Sequence, residues 1–109
     1  LEFNAPVDET DGGGRTPISL AAEAGSFATV SVLLEANANV DQADSENMTP
    51  LHWAAYSGST EIVASLLQHM TVSINSVDNE SKSPMHWAAY GGSLETVQFL
   101  HQQHAVLHE

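Results

Sequence analysis

The sequence contains no cysteine, which removes a disulfide framework, a thiolate nucleophile and thiolate metal ligation together. That absence fits an intracellular, reducing setting. Lysine and arginine total 2 against 14 aspartates and glutamates, so the chain carries −12 with its histidines neutral. A field of that sign repels phosphate backbones and anionic lipid headgroups, which argues against nucleic acid and acidic membrane surfaces as partners. No apolar run approaches the roughly 20 residues of a membrane span. The start, Leu1-Glu2-Phe3-Asn4, has neither an initiator methionine nor a basic-then-apolar signal pattern, so the chain reads as a piece of a longer protein. Also missing are a glycine-rich phosphate loop and a nucleophile elbow, and the expectation is a protein that is not an enzyme and holds no cofactor. What remains is 42% hydrophobic residues in a chain of 109. At that length folding buries ~60–70% of the unfolded surface, enough for one modest core.

Self-comparison is informative. TPLHWAAYSGSTEIV, beginning at Thr49, returns as SPMHWAAYGGSLETV at Ser83 and as TPISLAAEAGSFATV at Thr16. The period is 33 from Thr16 to Thr49 and 34 from Thr49 to Ser83. Pro17, Pro50 and Pro84 keep this register, as do the alanine pairs Ala21-Ala22, Ala54-Ala55 and Ala88-Ala89 and the glycines Gly25, Gly58 and Gly92. The extra residue falls within Met70 to Ser73, because Val40-Asp41 must align with Ile74-Asn75. Extended backwards, the register matches Val7-Asp8 and Asp11 to Val40-Asp41 and Asp44. Residues 1–13 therefore read as the tail of a preceding unit or an extension, followed by units at about 14–46, 47–80 and 81–109, the last truncated.

Each unit predicts two helices. Thr16, Thr49 and Ser83 offer capping hydroxyls, and the proline that follows sits at the first helical position, where its missing N–H costs nothing. A short helix should end at the glycine, which accepts a left-handed backbone. A second helix should start at Ser26, Ser59 or Ser93 and bury a stripe such as Val30, Leu33 and Leu34, or Val63, Leu66 and Leu67, at i, i+3, i+4 spacing. The polar segments Asp41 to Asn47 and Asn75 to Ser81 predict extended loops or hairpins.

With these residues in hand, the chain resembles an ankyrin-repeat protein, whose signature is a period of about 33 residues carrying T-P-L-H-x-A. Thr49-Pro50-Leu51-His52-Trp53-Ala54 fulfils it, Ser83-Pro84-Met85-His86-Trp87-Ala88 nearly so, and Thr16-Pro17-Ile18-Ser19-Leu20-Ala21 lacks the histidine. The resemblance implies an all-α solenoid, a right-handed stack of helix-turn-helix units with protruding loops. It assigns Thr49, Pro50, His52, Pro84 and His86 to structure, each histidine tying a helix start to the next unit, and Asp44 and Asp78 to bracing the loops. The family's turn glycine is kept at Gly14 and replaced by Asn47 and Ser81, and the glycine after the second helix becomes Asn37, Met70 and His104. Asparagine and histidine suit a left-handed backbone there, whereas Met70 does not. His101, in place of Leu34 and Leu67, suggests that residues 101–109 form a solvated cap.

His101, His104 and His108 lie at i, i+3 and i+7, a spacing also met by any solvated helix face, and no metal site is expected. The aromatic pairs are more informative. Trp53 and Trp87 read as packing residues, while Tyr56 and Tyr90 come at the ends of the short helices, where the resemblance implies a concave groove. Glu46 and Glu80 stand at loop tips without a bracing duty, and Met48 shares the register of Arg15 and Lys82. Glu46, Met48, Tyr56, Glu80, Lys82 and Tyr90 are thus the expected contact row for another protein or peptide, basic or amphipathic in view of the charge. An alternative is a structural or regulatory domain that packs against another part of its parent protein.

Overall fold

The computed structural model describes residues 7–71 and 73–107, and the side chains as far as residue 103. Six helices stand among them: α1 (Pro17–Ala24), α2 (Phe27–Glu35), α3 (Pro50–Ser57), α4 (Thr60–His69), α5 (Pro84–Tyr90) and α6 (Leu94–Leu107). The short helices α1, α3 and α5 lie side by side in one row, each backed by its long partner α2, α4 or α6, within 39 × 27 × 25 Å.

Every short helix starts alike, with a hydroxyl cap accepting from the backbone N–H three residues on and proline in the first turn. Gly25, Gly58 and Gly92 follow at φ 74°, 75° and 78°, the left-handed region where a Cβ is penalised. The alanines do the packing. Ala22, Ala54, Ala55 and Ala88 are completely buried, and their small size brings neighbouring short helices close. The Ser57 hydroxyl donates to the Ala22 carbonyl at 3.0 Å across that contact. Behind this row α4 buries Ile62, Val63 and Leu66, α2 buries Val30 and α6 buries Leu100. Fully burying one such aliphatic side chain is worth ~1.5–3 kcal/mol, so this stripe adds to the close packing of the short helices in holding the units together.

Second-helix ends and starts vary. Ser26 and Ser93 cap α2 and α6, but Ser59 makes no cap bond, and its hydroxyl instead accepts from the Ser57 hydroxyl at 3.1 Å. α2 ends before Asn37 at φ 65°, and α4 ends at Met70, which leaves in an extended conformation beside the inserted residue. The third unit departs from expectation. α6 runs through His104 without a left-handed break, since Gln102 to Leu107 supplies good helix formers and neither glycine nor proline stops it.

Candidate functional site

The loops between units are tight fingers built by one aspartate each. Asp44 Oδ1 accepts from the N–H groups of Glu46 and Met48, and Asp78 Oδ1 from those of Glu80 and Lys82, all at 2.9 Å. Asp11 does the same for Gly13 and Arg15. Each finger is closed by its own backbone, as from Asp78 N–H to the Lys82 carbonyl at 3.0 Å. Neighbouring fingers are laced together: Ser45 N–H donates to the Gly13 carbonyl at 2.9 Å and Asn79 N–H to the Glu46 carbonyl at 3.0 Å. The second oxygen of Asp44 and of Asp78 accepts from the indole N–H of Trp53 at 3.3 Å and of Trp87 at 2.9 Å. Finger and short helix are therefore held as one piece. Burial would raise the Asp78 carboxyl pKa, but the N–H donors of Lys82, Trp87 and Glu80 outweigh it and hold the group below the usual carboxylate range.

On this frame three rings meet. Tyr56 packs edge-on against Trp87 with ring centroids 5.6 Å apart and stacks with Tyr90 at 5.9 Å, and Trp87 meets Tyr90 edge-on at 5.8 Å. Tyr90 is nevertheless 76% exposed and Tyr56 40%. The Lys82 ammonium lies over the Trp87 ring, 5.1 Å from its centroid, and 3.1 Å from Glu80 Oε1. Its hydrogen bond to Glu80 and the Glu80 charge raise the lysine pKa above its ordinary value. Lys82, His86, Trp87, Ala89 and Tyr90 border a hollow of about 390 Å³. Glu46, Asp78, Asn79, Glu80 and Trp87 border another of about 220 Å³ between the second and third fingers.

Five of the six expected contact residues thus stand along one face: Glu46 and Glu80 at exposed fingertips, Lys82 half-buried beside them, Tyr56 and Tyr90 beneath. Met48 does not belong. It is only 2% exposed, and its side chain is enclosed where the finger turns into α3. Sharing a register with Arg15 and Lys82 misleads here, because those side chains carry a charge outward to carboxylates on the same face, Glu23 and Glu80, and methionine has no charge to draw it out. Two residues outside that expected row join the face. Trp87 is the hub of the ring cluster, and Glu23 holds in the first unit the position of Tyr56 and Tyr90, its carboxylate 3.7 Å from Arg15 Nη1. The 33-residue register alone placed Glu23 there.

The histidines have a different geometry. His52 Nδ1 accepts from the Thr49 N–H at 3.0 Å, and its Nε2 bonds the Lys82 carbonyl at 3.1 Å in the next unit. Pro50 is buried in the first turn beside it. His86 repeats the first contact with Ser83 N–H at 3.0 Å, behind the buried Pro84, and is itself exposed. Among the described residues no group of three or more histidine, aspartate or glutamate side chains is placed to hold a metal ion. Of the histidine triplet, His101 is exposed on α6, while the His104 side chain and His108 lie outside the described residues. Among the described residues, too, no helix is long and apolar enough to cross a membrane.

Comparison with known proteins agrees with this architecture. A family model described as Ankyrin repeats (3 copies) matches residues 1–78 and, overlapping, residues 39–108. No curated protein sequence matches the chain.

Proposed function

The chain belongs to the ankyrin-repeat family, and from that premise we propose that its fingers and short helices receive a basic or amphipathic segment of a partner protein. Ankyrin repeats are generally protein–protein interaction modules. The observation that carries the finer reading is the ring cluster: Tyr90 is 76% exposed while stacked on a second tyrosine and a tryptophan. Rigid aromatic area of this kind, ordered before any partner arrives, loses little entropy on contact. A basic segment suits it twice, because ring faces attract cations and the whole molecule carries −12. The tyrosines serve as anchors that set dissociation, and Glu46 and Glu80 at the fingertips steer association.

The test is capture of a partner from native extract, followed by binding measurements on surface variants. Tyr56→Ala and Tyr90→Ala should each weaken binding by ~1–2 kcal/mol while the protein still melts as a folded stack. Glu46→Lys with Glu80→Lys should slow association and flatten its salt dependence. Binding that survives all four changes but is lost when Gln68 or Gln98, exposed on the second helices, is altered would place the partner surface on the other side.

A further inference from the structure

Apart from its histidines the protein has two basic side chains, Arg15 and Lys82, and both are engaged internally at the same register. Arg15 turns to carboxylates, with Nη2 3.2 Å from Asp11 Oδ2 and Nη1 3.7 Å from Glu23 Oε1. Lys82 turns to rings, with Nζ 5.1 Å from the Trp87 centroid. The difference follows from what the short helix presents: Leu20 and Glu23 in the first unit, Trp87 and Tyr90 in the third. A cation at a fingertip therefore meets whatever the short helix presents, and in the third unit that is an aromatic surface.

We infer that the Tyr56–Trp87–Tyr90 cluster is a cation site, kept filled in the free protein by Lys82, and that an arginine side chain of the partner enters it by displacing that lysine. This rests on the reading of the same face as the partner surface. Trp87, the hub of the cluster, already carries the Lys82 ammonium over its ring, with the Glu80 carboxylate beside it. Lys82 is a weak occupant. Its side chain is 45% exposed, and its carboxylate partner Glu80 is 72% exposed, so water screens the pair. Arginine is the better occupant. Its guanidinium is flat and weakly hydrated, stacks on aromatic faces and can fork onto a carboxylate, none of which an ammonium matches. The hollow of about 390 Å³ beside Trp87 and Tyr90 gives the incoming stem room, and Lys82 can swing out to solvent from its edge.

The experiment uses a short acetylated and amidated Arg-Gly repeat peptide, titrated at fixed ionic strength into the protein and its Lys82 and Arg15 variants, with NMR of the Lys82 side chain. Lys82→Gln should tighten binding on the order of twofold to fivefold, the fold equivalent of one exposed cation–π contact. Arg15→Gln, which removes the same charge at the first finger, should tighten it less. Lys82→Arg should bind more weakly than the native protein, because a built-in guanidinium fills the site better than lysine does. The ring-shifted Lys82 methylene resonances should move toward solvent-exposed positions as peptide is added. Displacement is overturned if Lys82→Gln matches Arg15→Gln, if Lys82→Arg matches the native protein, or if those resonances stay ring-shifted in the complex. If Tyr56→Ala and Tyr90→Ala weaken peptide binding while the Lys82 variants behave as native, displacement fails and the partner surface stands. Unchanged binding in both tyrosine variants removes the partner surface itself.

Discussion

Asn47 and Ser81 carry side chains through a left-handed fingertip, at φ 63° and 64°, where the first finger uses Gly14 at φ 77°. That conformation costs a residue with a Cβ roughly 1–2 kcal/mol. Asn47 offsets part of the cost, since its amide donates to the Val77 carbonyl at 3.1 Å in the next finger. Ser81→Gly should therefore stabilise the protein by about 1 kcal/mol, and Asn47→Gly by distinctly less, because it gives up that bond. Urea midpoints of the two variants against the native chain decide the point. The fingertips also mark the limit of reading single residues from sequence. Asn47 and Ser81 are legible as glycine substitutes because the backbone position is fixed by register. Met48 was not, because one apolar residue in a polar loop has no periodicity to say whether it points in or out. Trp87 was legible as packing but not as the hub of a surface cluster, since that depends on Tyr56 from the preceding unit reaching it.

At the level of elements, α3 is joined to the third finger through one ring. His52 Nδ1 takes the Thr49 N–H, so in the native state the proton sits on Nε2 and is donated to the Lys82 carbonyl. A second proton would have to sit on Nδ1, facing that N–H. Burial lowers the His52 pKa, and this outweighs the Lys82 carbonyl and the nearby Asp78 charge, which act the other way. The sign follows from linkage. Above an unburied histidine's pKa of about 6.5 the ring is neutral folded or unfolded, whereas below it the unfolded chain takes a proton that the folded chain refuses. Stability should thus fall as pH is lowered from about 7.5 to about 5.5, a window above the range where Asp11 and Asp78 titrate. His52→Gln should cost ~1–3 kcal/mol at the upper pH and flatten this decline, which thermal melts across the window measure. An equally steep decline in the variant would assign it to other groups. Helix starts such as this were legible because hydroxyl, proline and histidine recur in register. The far end of α6 was not, because position alone suggested a break at His104, while the local composition favours continuing the helix.

For the whole molecule, periodicity made the architecture readable, because each unit repeats the same caps, alanines and aliphatic stripe. It also says how the units depend on one another. In a stack of this kind stability is the sum of what each unit contributes and what each interface adds, and about three units are needed for a continuous core. The middle unit depends most on its neighbours. α3 packs against both α1 and α5, and α4 buries Ile62, Val63 and Leu66 completely, whereas α2 at the first position buries only Val30 fully. Ending the chain after Asp78 removes α5 and α6 and, with them, the Lys82 carbonyl that His52 bonds and the cover that α5 gives α3 and α6 gives α4. Stripping that cover re-exposes several side chains worth ~1.5–3 kcal/mol each, which is comparable with the whole stability of a domain this size. The shortened chain should therefore lose its cooperative thermal transition and show a shallow, broad change in helical circular dichroism. If it kept a sharp transition at the native temperature, the third unit would add nothing to the fold, and cooperativity would reside in the first two alone.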